Sequence, residues 1–333
     1  MDEPKWTPER ILKLSGDYWS TCVLHAAVGL DLFTRIGDGR IAREGLAREL
    51  GAPEDAVGRL LDAATALGLL VKTPSGYANT AVSRTCLCMD SERYIGYIIR
   101  HHHHLMASWA RLPHAILTGK PVRLPVREDE AEEREAFLMG MFNLASQLAP
   151  QLVPVVELGD CRTLLDLGGG PGTYAIHFCR RHPDLQATVM DLATTRPFAE
   201  KTIRNLGMEG RVSFVEGDYL EAAIPGTYDA VWMSHILHGE SFEDCQGIVD
   251  KAARCLNPGG VAIIHEFILD DTLDRPLFPA LFSLNMLLNT DGGRAYSQAQ
   301  LTGMLKRAGF SQIRRQDFKG PNDSGLIRAV KPA

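Results

Sequence analysis

The segment Thr163-Leu-Leu-Asp166-Leu-Gly168-Gly169-Gly170-Pro171-Gly172-Thr173 constrains this chain more than any other. It reads as an apolar strand, a glycine-crowded turn and a helix start, a geometry that lets a ligand touch the backbone. A dinucleotide fingerprint would run G-x-G-x-x-G and seat a pyrophosphate at the helix N-terminus. Counted from Gly168 and Gly170, the third glycine of that pattern falls on Thr173. Asp166 precedes the run by two residues, where it would repel a pyrophosphate but could accept a hydrogen bond from a cationic amino group. That favours a zwitterionic, phosphate-free ligand such as S-adenosylmethionine. The plain alternative is a tight turn that only lets helix and strand pack closely.

Later segments continue the plan. Gln186 to Met190 is a short strand ending at Asp191, and an acid at the end of a second strand can bind both ribose hydroxyls. Val212 to Glu216 is a third strand followed by Gly217-Asp218, whose acid can accept from an adenine amino group or simply be a solvated turn residue. Tyr228 to Met233 is a fourth. Strands alternating with helical stretches imply a parallel sheet, with ligands collecting at the carboxyl ends of its strands.

From about Leu152 onward, and more loosely before it, the chain resembles the small-molecule O-methyltransferase family, including plant phenylpropanoid, acetylserotonin and bacterial natural-product tailoring enzymes. The resemblance lies in Asp166-Leu-Gly-Gly-Gly-Pro-Gly172, Met190-Asp191-Leu192, Gly217-Asp218, Leu237-His238, Pro258-Gly259-Gly260, Glu266, Asn285-Met286-Leu287, Gly292-Gly293-Arg294 and Ala308-Gly309-Phe310. It implies an α/β class I methyltransferase fold, a Rossmann-like sheet closed by an antiparallel C-terminal hairpin and preceded by a helical, winged-helix-like dimerisation domain. The expected divisions are 1–90 for dimerisation, 91–151 as helical linker and substrate lid, and 152–333 for cofactor binding and catalysis. The expected cofactor is S-adenosyl-L-methionine, held by Asp166, Gly168, Gly170, Gly172, Asp191, Leu192, Gly217, Asp218, Tyr219, Ser234 and His235.

The rest of the chain narrows the partners. At 333 residues it can form two domains with cores of their own, and a net charge of -6 argues against a broad nucleic-acid face. A small-molecule acceptor fits better. No charged-then-apolar leader and no apolar run near 20 residues is present, so no membrane partner and a cytoplasmic location are expected. Seven cysteines, Cys22, Cys86, Cys88, Cys161, Cys179, Cys245 and Cys255, are odd in number and lack C-x-x-C pairs. That speaks against a disulfide framework and a structural zinc site.

In the first ninety residues, Tyr18, Val23, Leu24, Ala27, Leu30, Leu32 and Phe33 recur at helical spacing, with Gly29 inside the run. Ile41 to Gly51 and Asp55 to Gly68 read as two short glycine-ended helices, and Leu69-Leu-Val71 with Tyr77 to Thr80 as a hairpin wing. Three helices and a wing raise the question of DNA binding. The third helix offers only Arg59 among basic residues, too little to read base edges. The family resemblance instead implies a homodimer through this part.

Residues 91–150 read as apolar helices broken at Thr118 to Pro125, with a charged run from Arg127 to Glu135 expected as a solvated helix start. The tract His101 to His104 points in successive directions on a helix, so its four rings cannot share one metal, and no metal is expected. The acceptor pocket is expected from His104, Met106, Trp109, Phe142, Phe282, Asn285 and Met286. At the other end, Ser311 to Phe318 and Leu326 to Val330 flank a short turn and must be antiparallel.

Methyl transfer from a sulfonium needs a nucleophile, and an aryl hydroxyl with a pKa near 10 gains from a general base. His238 aligns with the family's catalytic histidine, Glu266 with a glutamate that orients it, and His235 is expected beside the cofactor. Two positions depart from the family pattern. Gly239 stands where an Asp usually follows the histidine, and Ala295 where a second glutamate is expected. A thiol, thioether or amine acceptor therefore stays open as an alternative, and a ligand-sensing or DNA-binding protein as a non-enzyme alternative.

Overall fold

The computed structural model describes residues 6–122 and 130–333. Its elements run α1 Pro8–Gly16, α2 Tyr18–Gly29, α3 Leu32–Ile36, α4 Arg43–Leu50, α5 Glu54–Ala66, β1 Leu70–Thr73, β2 Gly76–Asn79, α6 Ala81–Cys86, α7 Gly96–Trp109, α8 Leu112–Thr118 and α9 Glu130–Leu152. There follow β3 Thr163–Leu167, α10 Thr173–Arg181, β4 Gln186–Asp191, α11 Arg196–Asn205, β5 Val212–Glu216, β6 Tyr228–Ser234, α12 Phe242–Cys255, β7 Leu256–Phe267, α13 Leu277–Asn289, α14 Gln298–Arg307, β8 Ser311–Arg315 and β9 Ser324–Val330. They form two compact units, one of residues 1–106 and 129–143, the other of 107–128 and 144–333.

The second unit holds a seven-stranded sheet in the order β5-β4-β3-β6-β7-β9-β8, parallel except for β9, which runs antiparallel to both neighbours. Successive side chains of a strand face opposite sides. Leu165, Leu167, Val231, Met233, Ala262 and Ile264 therefore enter one core with residues of α12 and α14. Leu164, Ala230, Trp232, Val261 and Ile263 enter the other with residues of α10 and α11. Both faces are covered, which is why these strands read as continuous apolar runs rather than as an alternation. The expected sheet and closing hairpin are both present.

In the first unit α2, α3, α4 and α5 close a core around Phe33, Leu46 and Leu61, beside the hairpin β1-β2. The apolar run expected from Tyr18 to Phe33 is two helices rather than one. Asp31 takes a left-handed φ of +53°, which ends the α2 ladder, and its carboxylate pairs with Arg100 at 2.5 Å. The α1 helix starts where the Thr7 hydroxyl accepts from Arg10 N, yet none of its residues is buried. Trp6, Ile11, Leu12, Leu14, Tyr18 and Trp19 are all exposed. Of the charged run expected from Arg127 to Glu135, residues up to 129 lie outside the described residues, and α9 begins at Glu130. Among the described residues no helix is long and apolar enough to cross a membrane.

Candidate active site

The glycine turn between β3 and α10 is tied to the end of the neighbouring strand. Gly168 N donates to Met190 O at 2.8 Å and Gly170 N to Asp191 Oδ2 at 2.8 Å. Gly168 has φ +65°, and a Cβ there would lie 2.6 Å from Ile236 Cγ2. Gly170, at φ +54°, has no atom within 4 Å of such a Cβ, so its flank is open to a ligand. Gly172 begins α10 in a left-handed conformation. The turn closes over Asp166, which is buried and accepts from Ala175 N at 3.1 Å through Oδ2.

No Lys or Arg pairs with Asp166 among the described residues. Burial, with Asp191 nearby, raises its pKa to about 7. It is therefore an enclosed carboxyl whose charged form is disfavoured, not an exposed acceptor. Asp191 ends β4 half-buried, with Oδ1 accepting from Leu192 N at 2.7 Å and Thr195 Oγ1 at 2.9 Å. Three donors leave this carboxylate capacity for a ligand hydroxyl. Leu192 beside it is 49% exposed, an uncovered apolar wall. Gly217 follows β5, and its N donates to Asp191 O. Asp218 accepts from Leu220 N through Oδ1, and Tyr219 donates to Glu240 at 3.0 Å. Thus Asp166, Gly168, Gly170, Gly172, Asp191, Leu192, Gly217, Asp218 and Tyr219 gather at the carboxyl ends of β3, β4 and β5.

At the ends of β6 and β7 stands a second cluster. Glu266 is 3% exposed and accepts at Oε1 from Leu237 N (3.0 Å) and His238 N (3.3 Å). Its Oε2 lies 2.8 Å from His238 Nδ1 and 3.3 Å from Phe267 N, which donates to it. Burial alone would raise this acid's pKa, but the two imidazoles beside it hold it well below the usual carboxylate range. An ionised carboxylate only accepts, so His238 carries a proton on Nδ1. His235 lies against the same carboxylate, with Nδ1 3.5 Å from Oε2. Ser234 Oγ is 2.9 Å from Nδ1 of the fully buried His265, whose Nε2 meets Ser324 Oγ at 3.1 Å.

Aromatic rings wall the space beside His238. The Phe282 ring is edge-on to it at 4.7 Å, and Phe267, Phe278 and Phe282 contact one another at 4.8–5.8 Å. Asn285, one turn on from Phe282 in α13, accepts from the Trp109 indole N–H at 2.9 Å, and Met286 beside it is buried. The sequence reading missed Phe267 and Phe278. The first hides as a strand-end residue, while the second was legible from its four-residue spacing to Phe282. His104, Met106 and Phe142 belong to the other compact unit. There Met106 Sδ lies 3.1 Å from His25 Nδ1, and His104 Nδ1 is buried without a hydrogen-bond partner among the described residues. Ala295 is buried and lines an apolar cavity of about 370 Å³ with Leu269, Leu284 and Leu287, so no second carboxylate flanks the histidine from that position.

A doubly covered sheet of this order, with an open glycine turn and acids at three successive strand ends, defines an S-adenosylmethionine-dependent methyltransferase. The cofactor's residues fit. Gly170 leaves backbone space, Asp191 keeps acceptor capacity, Leu192 offers an apolar face, and a cationic ligand would favour the ionised form of the buried Asp166.

Residues 114–311 match the O-methyltransferase domain, and residues 12–88 the O-methyltransferase dimerisation domain. The 3-hydroxy-5-methyl-1-naphthoate 3-O-methyltransferase of Streptomyces sahachiroi is 34% identical over 97% of this chain and 95% of its own length. Among solved structures, an O-methyltransferase family protein from Burkholderia thailandensis superposes with a TM-score of 0.88 at 29% identity, covering 99% of both chains. PigF with SAH gives 0.89 at 26%, covering 98% of this chain and 100% of that one. The chain belongs to the O-methyltransferase family.

Proposed function

We propose that the protein methylates a hydroxyl of a small aromatic or polycyclic compound, with His238 as general base and Glu266 as the residue that orients it. The observation that carries this reading is the Glu266–His238 hydrogen bond of 2.8 Å facing the Phe282 ring. The cofactor, bound across Gly168 to Gly172, Asp191, Leu192 and Asp218, supplies a methyl group on a sulfonium. An acceptor hydroxyl within reach of His238 Nε2 gives up its proton there as the oxygen becomes the nucleophile. Glu266 then faces an imidazolium and stabilises it. The ring wall suits a flat acceptor, and Asn285, fixed by Trp109, would orient it. Similarity to the naphthoate enzyme supports an aromatic hydroxyl.

Residues 1–90 are assigned to dimerisation, and the uncovered apolar side chains around α1 and α2 support a homodimer. In our reading residues 91–151 link that part to the cofactor domain of residues 152–333. A second reading keeps the cofactor but takes a sulfur or nitrogen acceptor. Gly239 and Ala295 favour it, because neither position supplies a carboxylate to the base.

The test is turnover of hydroxynaphthoates and hydroxyanthraquinones by wild type and His238→Ala, with S-adenosylhomocysteine binding as a control. Loss of about 10³-fold or more in kcat with unchanged cofactor binding supports the base. Turnover retained in the variant sinks it in favour of the second reading.

A further inference from the structure

The proposed reaction makes no use of His235. Its backbone is left-handed, with φ +56°, a conformation that L residues other than glycine seldom adopt. The conformation sets its ring edge-on to His265 at 4.3 Å, at 4.3 Å from Phe267, and turns Nδ1 toward Glu266. Yet Nδ1 is buried, and at 3.5 Å from Oε2 it makes no well-formed hydrogen bond among the described residues. At 3.5 Å a protonated Nδ1 is poorly bonded, and an unprotonated one places its lone pair against a carboxylate. Either tautomer leaves a buried group that a cation between the two side chains would satisfy.

We propose that His235, His238 and Glu266 form a site for one divalent cation of the zinc class, and that its occupation blocks the base. The ligating atoms of the three side chains lie within 4.8 Å of one another. Around a tetrahedral zinc with bonds of about 2.1 Å, neighbouring ligand atoms stand about 3.4 Å apart. The His235–Glu266 distance of 3.5 Å already meets that spacing. The 2.8 Å His238–Glu266 contact opens by a fraction of an ångström once the proton between them is gone. Glu266 is pinned by backbone donors, whereas the His235 and His238 side chains keep 23% and 15% exposure, so the rings can close on an incoming ion. The fourth position is left to water.

The proton count fixes the consequence. In the resting pair His238 holds its proton on Nδ1 and its lone pair on Nε2. Coordination through Nδ1 sends that proton, by exchange with water, to Nε2, so the neutral ring binds the ion without net proton release. An Nε2 that carries a proton cannot take one from an acceptor. Ion binding stands apart from the proposed function, and only the inhibition rests on His238 being the base.

The test is calorimetry of the chelator-treated full chain with ZnCl2, repeated with CoCl2 and read by visible ligand-field absorption. Neither needs an acceptor or turnover. His25 and the tract His101 to His104 are the other clustered imidazoles of the chain, so a His102→Ala/His103→Ala variant serves as control for binding outside the site. One tight equivalent and a low-coordinate cobalt spectrum are expected in wild type and in that control. Both should be lost or weakened more than about 100-fold in His235→Ala and Glu266→Gln, which must keep the wild-type circular dichroism. Equal binding by wild type and His235→Ala, loss only in the tract variant, or no tight equivalent in wild type would overturn the site. If the cation binds as described but turnover survives saturation with it, the site stands and the His238 base does not.

Discussion

Replacing Asp166 by Asn should stabilise the cofactor-free protein at neutral and alkaline pH while weakening it as an enzyme. The carboxyl is fully enclosed, and its pKa rises from 3.8 to about 7, first through burial and then through Asp191. A shift of about three units corresponds to about 4 kcal/mol between the protonation states. For an acid whose folded pKa is raised, the native state holds its proton more tightly than the unfolded chain. The wild type therefore loses stability as pH rises from about 4 to about 7, and carries the full penalty above that. Asn keeps the acceptor for Ala175 N but buries an amide NH2 with no acceptor to receive it among the described residues, a pH-independent cost of about 1–3 kcal/mol. The pH dependence is consequently the decisive quantity. The stability difference, Asn minus Asp, should climb by about 4 kcal/mol between pH 4 and pH 8. For a unit near 200 residues that is a relative Tm swing of roughly 8–16 °C. Denaturant unfolding of cofactor-stripped protein across this range, followed by fluorescence of the buried Trp232, measures it directly. S-adenosylmethionine binding measured alongside should weaken by about 10-fold or more, since the negative field under the turn is gone. A stability difference that stays flat from pH 4 to pH 8 would refute the argument that this buried charge is held in place for the cofactor.

Three further outcomes follow from the same geometry. Glu266→Gln should lower kcat by about 10³- to 10⁴-fold with little change in cofactor Kd, because an amide turned to satisfy the backbone donors points its NH2 at His238 Nδ1 and selects the wrong tautomer; an unchanged rate would remove Glu266 from the mechanism. Because the Glu266 pKa is depressed in the fold, its share of stability is complete above about pH 4.5 and is lost as pH falls below that, so Glu266→Gln should flatten the acid limb of the wild-type stability curve. Trp109→Phe removes the indole donor to Asn285 and should raise acceptor KM several-fold while cofactor affinity, read by calorimetry, stays as in wild type.

The parts of this protein written locally in its sequence are those in which neighbours along the chain do the work. The turn from Gly168 to Gly172, the acids that end β4 and follow β5, and the short apolar strands need only a few consecutive residues to be recognised. Their order implied the parallel sheet and its closing hairpin. The break at Asp31 escaped because apolar spacing continues through it, and only the pull of Arg100, far along the chain, marks the bend.

The sequence by itself determined that a glycine turn would open beside an acid, that His238 would follow one strand and that Glu266 would end the next. Tertiary structure alone decided how they meet. The parallel pairing of β6 with β7 brings Ser234 level with His265, so the loop after β6 delivers His238, and with it His235, onto Glu266. It also decided that Asp166 is enclosed and that Trp109 fixes Asn285 from 176 positions away. Burial, ring contacts and shared carboxylates arise between segments remote in the chain, and no local pattern of side chains encodes the distance at which such segments come to rest.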